Sequence, residues 1–405
     1  MSIRKDSEQA LKQGGGILRL APAWVPRIFT VPGRRIKLHP DDYYALGSER
    51  GGISERWFSS TTQADNGLKT APNEGLSFIL VEDGGNTKQI LFRDVIDELK
   101  GEVIGDRIWK EHERWPMYSK FFDNMGALPH HIHQKDEHVA SLGLLGKPEA
   151  YFFPPQVNNH GGDFPFTFFG FNPGTTKEQV KETLINFTKG DNKITNLSRS
   201  YRLETSTGWD VPPGVLHAPG SLCTYEPQRA SDVFSMFQSL VNDQLVSESL
   251  LWRDTPENKV GDFNHLIALI DWEINLDPKF QENRFMRPKP VNDPKEMNAQ
   301  GYHENWIVYK SKYFSAKELT VFPGSSTTIK DSAAYGMIMM QGHGTMGNWD
   351  IETPALIRYG QLTHDEFFVT ERAASEGVRI TNLSQSDPLV ILKHFGPENP
   401  NLTLS

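Results

Sequence analysis

Pro212-Pro-Gly-Val-Leu-His217 closes a set of three short motifs that begins at His131-Ile-His133 and passes through Lys147-Pro-Glu149. On an extended strand, side chains two apart leave the same face, so His131 and His133 can address one ion without distorting the backbone. A carboxylate from Glu149 and a third imidazole from His217 complete a three-histidine, one-glutamate donor set. Such ligands suit zinc, manganese, iron, cobalt or nickel, and their types alone do not choose among these metals.

Around the motifs, from Ile17 to about residue 240, the chain reads as short runs rich in Phe, Tyr, Trp, Val and Ile, broken by Gly, Pro, Asn and Asp. That is the pattern of many short strands. The stretches 75–83, 146–154, 198–205, 207–213 and 232–241 are the clearest. Helical text intrudes near 175–190, where a threonine cap and an early acid precede apolar residues at helical spacing, over Phe92 to Leu99, and across 244–272. Residues 1–16 are polar and end in three glycines, which predicts a loose tail with order beginning near Ile17. The prolines at 278, 288, 290 and 294 predict an extended connector, and a second strand-rich block runs from Trp306 to about Phe395. The expected division is therefore a tail (1–16), a metal-binding unit (17–243), a helical and extended connector (244–304) and a second β unit (305–405).

Bulk properties narrow the function. The chain has 405 residues, enough for two cores, and 42 Lys and Arg against 51 Asp and Glu give a net charge of -9. Such a surface repels polyanions, which argues against nucleic acid, while a local basic pocket for one phosphate remains compatible with it. No secretory leader and no membrane-length apolar run are visible, so a soluble, cytoplasmic protein without a membrane partner is expected. The single cysteine, Cys223, forms no internal disulfide and reads as an inert buried thiol.

His-X-His, a following glutamate and Pro-X-Gly-X-X-His about eighty residues on together resemble the two-motif pattern of the cupin barrels. Five elements in order resemble, more narrowly, the class I mannose-6-phosphate isomerases. They are Ile53-Ser-Glu-Arg-Trp57, Trp115-Pro-Met-Tyr-Ser-Lys-Phe-Phe-Asp123, His131-Ile-His133-Gln-Lys-Asp-Glu137, Gly146-Lys-Pro-Glu149 and Leu216-His-Ala218. The likeness covers roughly residues 20–240. It implies an all-β dominated fold of two cupin-type β-barrels (double-stranded β-helix or jelly roll, a bicupin) with a few helical insertions. The second block has no His-X-His after Pro323-Gly324 and no closing histidine near Glu371-Arg-Ala-Ala-Ser375, so its barrel is expected to be metal-free, with a structural role or a place at a homodimer contact.

Two glutamates compete as the fourth ligand. Glu137 has the general cupin spacing after His133, whereas Glu149 stands where the isomerases place theirs and opens the strand-like run Ala150-Tyr-Phe-Phe153. Glu149 is preferred as the ligand, and Glu137 stays as a catalytic candidate. The resemblance implies a sugar-phosphate or sugar isomerase working through an enediol with one divalent ion, zinc first, and a small-molecule sugar partner. It places Lys147 at the sugar phosphate or the proton transfer, and Lys120 in the pocket. Arg202 and Arg229 are the arginines expected at the barrel mouth, so the catalytic set is Lys147, Arg202, Arg229 and Glu137. Lys120, Lys135, Lys147 and Arg229 form the substrate-binding set. His130 and His138 flank the site, with alternation aiming His130 away from it; His160, in Asn-Asn-His-Gly-Gly, reads as loop chemistry, and His343 and His364 lack partners at ligand spacing. Three departures stand out: the family's arginine falls on Met236, its motif glutamine on His131 and its tyrosine after His-Ala on Pro219. An iron-dependent cupin oxygenase and a non-enzymatic sugar-binding cupin are the alternative readings.

Overall fold

The computed structural model describes residues 3–158 and 164–402. Among them the strands build four main antiparallel sheets, of five, seven, nine and four strands, stacked in that order. The outer five-stranded sheet carries His131–Ile132 and His217–Ala218. It faces a seven-stranded sheet built around Met117–Phe122, Glu149–Phe152 and Thr224–Arg229. Phe122, Tyr151, Phe169 and Trp209 fill the space between these two sheets.

The reverse side of the seven-stranded sheet packs on the nine-stranded one through Phe58, Phe121, Phe152, Tyr225, Ile338 and Leu392. The nine-stranded sheet in turn faces the four-stranded sheet through Trp306, Leu319, Met337, Ile380 and Phe395. Strand alternation assigns the sides: Phe121 and Tyr225 enter the central core, while their neighbours Lys120 and Glu226 enter the first interior. Because the two middle sheets are covered on both faces, Met117–Phe122 and Leu389–Phe395 are buried at every residue. Outer strands alternate instead, as Ser326–Ile329 does.

Several expectations are corrected. The expected tail is an α-helix, Ile3–Gly14, whose Ser7, Ala10 and Gly14 are buried at helical spacing and whose Gln9 and Gln13 side chains donate to the Glu82 carbonyl. The connector is not extended throughout: it holds the short helices Phe280–Arg284 and Pro294–Ala299, the second opened by Pro294 behind an Asp293 cap. Residues 244–272 fold as short helices, Glu248–Leu251 and Phe263–Ala268 among them, rather than one. Ile17–Ala21, Phe78–Asp83 and Asn86–Leu91 lie in the nine-stranded sheet, where Ile17 pairs with Val369, so this sheet takes strands from both sides of residue 243. The helix Phe92–Leu99 stands where expected, and Thr176 caps Lys177–Ile185 in a reciprocal capping box with Gln179. No helix among the described residues is long and apolar enough to cross a membrane.

Candidate metal centre

Three histidines reach one point from the five-stranded sheet. His131 and His217 are direct cross-strand partners with ring centroids 4.1 Å apart, and His133 stands 5.0 and 4.9 Å from them. Their ligand nitrogens lie within 4.8 Å of one another, so the cluster could hold a metal ion. Backbone carbonyls orient all three rings. Nδ1 of His131 is 2.8 Å from the Pro129 oxygen, that of His133 is 2.7 Å from Val233, and that of His217 is 2.8 Å from Val215. A carbonyl only accepts, so each Nδ1 carries the proton and donates it, and in the neutral ring Nε2 is then the lone-pair nitrogen.

Glu149 enters from the facing seven-stranded sheet. Its Oε2 is 2.9 Å from His133 Nε2, its Oε1 is 3.1 Å from His217 Nε2, and the Tyr151 hydroxyl donates to Oε1 at 2.5 Å. Contacts between a carboxylate oxygen and an imidazole lone pair set acceptor against acceptor and need a cation nearby; at His133 the Lys147 ammonium meets part of that need, 3.1 Å from Nε2 and 3.0 Å from Glu149 Oε2. His217 Nε2 has no hydrogen-bond partner among the described residues. All four side chains are at most 6% exposed. Burial, reinforced by His217 and His133, holds the His131 imidazole well below its usual range, and burial with the Lys147 charge takes His133 down to about 3. Burial opposes ionisation of Glu149, yet Lys147 and the histidines keep its pKa well below the usual carboxylate value. Neutral imidazoles and an ionised carboxylate are the forms that bind metal, so the donor set fits a divalent ion.

The turn that delivers His217 depends on Gly214. Its φ is +87°, its N–H donates to the His133 carbonyl at 2.9 Å, and a Cβ there would meet Asp271 at 3.0 Å. Any side chain would therefore strain the turn joining two ligand-bearing segments.

A chain of alternating charges leads away from Glu149 through the same interior. Lys147 Nζ is 3.0 Å from Glu149 and 3.6 Å from Glu226, and Lys120 Nζ is 3.2 Å from Glu226 and 3.7 Å from Glu55. Arg27 then bridges Glu55 at 3.1 Å and Asp232 at 3.0 Å. Burial, helped by the Glu149 charge, pushes the Glu226 carboxyl up to about 8 despite its two lysines. Burial opposes the Lys120 charge, but Glu226 and Glu55 hold its pKa above the ordinary value. Asp232 sits at about 2: burial opposes its charge, and Arg27 and Arg253 outweigh that.

Solved structures share this architecture. The mannose 6-phosphate isomerase of Bacillus subtilis superposes with a TM-score of 0.59 at 14% identity, covering 94% of this chain and 99% of that one. A variant of the phosphomannose isomerase of Salmonella typhimurium gives 0.61 at 10% identity, covering 94% and 100%. The chain has the fold of the mannose-6-phosphate isomerases. No family model and no curated protein matches the sequence. The resemblance read from the motifs therefore holds at the level of fold.

Within this isomerase fold, the structure sorts the expected residues. His131, His133, Glu149 and His217 converge, and Lys147 and Lys120 join them in the buried interior. The remaining candidates lie elsewhere. Arg229 ends a strand whose Glu226 and Gln228 point inward, so alternation turns it outward to Asp136, at 2.6 Å, over the Tyr313 ring. Lys135 is paired with Asp271 at 2.8 Å. Glu137 is exposed in the short helix Asp136–Val139, and Arg202 is exposed at the end of the sheet's edge strand; neither belongs to the buried charge chain. His130 faces away, donating Nδ1–H to Gln238 at 2.8 Å, and His138 accepts from the Lys135 backbone N–H. His343 and His364 are exposed, and His160 lies outside the described residues. Burial raises the pKa of the Cys223 thiol far above its usual value, as expected of an inert cysteine. Met236 is buried and pairs across strands with His131.

Sequence reasoning gave no role to Glu226, Tyr151, Asp232 or Glu55, and passed over Arg27. Tyr151 was findable, since two residues after Glu149 on a strand it shares that face. Glu226 had one signal, an acid in the middle of an otherwise strand-forming run.

Proposed function

We propose that this protein is a metal-dependent aldose-ketose isomerase acting on a sugar phosphate, with mannose 6-phosphate and fructose 6-phosphate the first pair to test. The observation that carries this reading is the protonation pattern of the centre. Three imidazoles commit their Nδ1 protons to carbonyls and converge, His133 and His217 directly against the Glu149 carboxylate, with Glu226 and two ammonium groups alongside. His131, His133, Glu149 and His217 would hold one divalent ion, zinc being the first choice because isomerisation removes no electrons from the substrate. Such an ion supplies Lewis-acid stabilisation of negative charge on the sugar oxygens.

Isomerisation takes a proton from the carbon beside the carbonyl and returns one to the former carbonyl carbon. Glu226 is assigned that transfer because it lies beside the centre, 3.6 Å from Lys147 and 3.2 Å from Lys120, with burial raising its carboxyl above the ordinary range. Lys147 and Lys120, on either side of it, set its orientation and offset charge at the reacting end. The fold shared with mannose-6-phosphate isomerases favours the same substrate class. We also read each facing pair of sheets as a cupin-type barrel and the protein as cytoplasmic.

The test is NMR of metal-replete protein with mannose 6-phosphate in deuterated water. Fructose 6-phosphate should form, with deuterium entering at the carbon next to the carbonyl. Unchanged sugar with no deuterium, across aldose and ketose phosphates and the free sugars, would refute the proposal.

A further inference from the structure

Outside the charge chain a cavity of about 320 Å³ lies between the loop at residues 65–69 and the segment at 249–253. Three cationic side chains line it: Arg50, Lys69 and Arg253. In a protein of net charge -9 such a grouping goes against the overall balance. Its donors are only partly used. Arg50 pairs with Glu74 through Nη2 and Arg253 with Asp65 through Nη2 at 2.6 Å, but the Nε atoms of both arginines are buried without a hydrogen-bond acceptor among the described residues. Arg253 Nε is 3.6 Å from Asp254, too far for a hydrogen bond. The exposed Lys69 spends one donor on the Glu49 carbonyl at 2.7 Å.

The carboxylate on the lining is already engaged, since Asp65 holds Arg253 and accepts the Gly67 N–H at 2.8 Å. Among the lining residues three cations stand against this one carboxylate, an excess of positive charge that suits an oxyanion. Arg253 is also held in place. Its guanidinium lies 4.1 Å over the Phe234 ring, which in turn packs edge-on against Phe29. Phe29, Ile28 and Leu250 form an apolar wall beside the cations.

We propose that this cavity binds a small molecule carrying a phosphate-type oxyanion, held by Arg253, Arg50 and Lys69, with its uncharged body against Ile28, Phe29 and Leu250. The site is separate from the histidine cluster but built on the same segment. The Val233 carbonyl orients His133, while its neighbours Asp232 and Phe234 hold Arg27 and Arg253.

Calorimetric titration of the full chain tests this with inorganic phosphate, a hexose 6-phosphate and the unphosphorylated hexose, in wild type, Lys69→Met, Arg253→Met and Glu149→Gln. Both phosphates should bind and the free hexose should not, with the ester tighter than the ion. Lys69→Met and Arg253→Met should each weaken binding about tenfold or more, as loss of a charged hydrogen bond does, while Glu149→Gln should retain it. Lys69 is exposed, so its variant remains informative should Arg253→Met fold poorly. Absence of phosphate binding, binding untouched by Lys69→Met, or an ester no tighter than the ion would overturn the proposal. Phosphate binding lost in Glu149→Gln would assign the anion to the histidine cluster and overturn it too. Because a hexose 6-phosphate is also the substrate proposed for the histidine centre, the inorganic-phosphate titration and its loss in Lys69→Met keep this test separate from that of isomerisation.

Discussion

The two interiors of this molecule handle buried charge in opposite ways. Between the nine- and four-stranded sheets, Lys317 lies 2.5 Å from Asp331 and 3.5 Å from Glu304, and Lys393 lies 2.7 Å from Asp331 and contacts Glu304. Two ammonium groups meet two carboxylates, and aromatic rings cover them, with Lys317 over Trp306 and Lys393 over Tyr335. This interior is neutral by itself and asks for nothing further. Between the five- and seven-stranded sheets, three cations, Arg27, Lys120 and Lys147, face four carboxylates, Glu55, Glu149, Glu226 and Asp232, beside three imidazole lone pairs. Burial, with the Glu149 charge beside it, pushes Glu226 to about 8, and the surplus acid gives a divalent cation somewhere to bind. Similar sheet pairs thus yield one closed and one open centre, distinguished by a few side chains at inward positions.

The largest effect is expected in the closed interior. Lys393→Met should cost about 3–5 kcal/mol, because it leaves two buried carboxylates with one ammonium. Urea unfolding measures the loss, and adding Asp331→Leu should recover much of it by removing the stranded charge. A single substitution costing under 1 kcal/mol, or a pair no better than the single, would show that the quartet is not a charge-matched unit.

In the open interior, His133→Ala should weaken metal binding by more than about 100-fold, beyond the range typical of residues that merely support a ligand. Competition with a chelator of known affinity reads this, and an unchanged metal affinity would place the ion elsewhere. Tyr151→Phe removes the hydroxyl that holds Glu149 Oε1, so the same assay should show about a 10–100-fold loss. Equal affinity would mean that Glu149 needs no support.

The last effect is a pH dependence. The Glu226 carboxyl is raised from 4.5 to about 8, so its contribution to stability is fully present below 4.5 and is lost as pH rises toward 8. Glu226→Gln removes that loss. Compared with wild type, the variant should gain stability between about pH 5 and pH 8 in urea melts, and parallel curves would mean that Glu226 ionises normally. No such trend is expected for the closed interior, where burial opposes the Asp331 charge but Lys393 and Lys317 hold its pKa below the ordinary value.

The metal cluster was legible because its signals are local. Two histidines at strand spacing, a glutamate opening a strand and a Pro-Gly turn before a histidine each survive as short text. The helices Phe92–Leu99 and Lys177–Ile185 were legible for the same reason, through periodicity and a cap. What failed was non-local. Nothing near Ile17 announces that it will pair with Val369, so the shared nine-stranded sheet was invisible. The first helix read as a tail because its buried face consists of small residues, Ser7, Ala10 and Gly14, and its polar residues find partners in a distant hairpin. Arg202, Arg229 and Glu137 were chosen for their chemistry, yet their facing is decided by exposure and strand register. Glu226 was missed because an acid within a strand ordinarily marks a solvent-facing position.

Elemental analysis of the purified protein, alongside His133→Ala and Glu149→Gln, tests the central claim most directly. One divalent ion per wild-type chain, lost or strongly depleted in both variants, is the predicted result. A wild type that stays metal-free when offered zinc, manganese, iron, cobalt and nickel, or variants that keep a full complement, would contradict it.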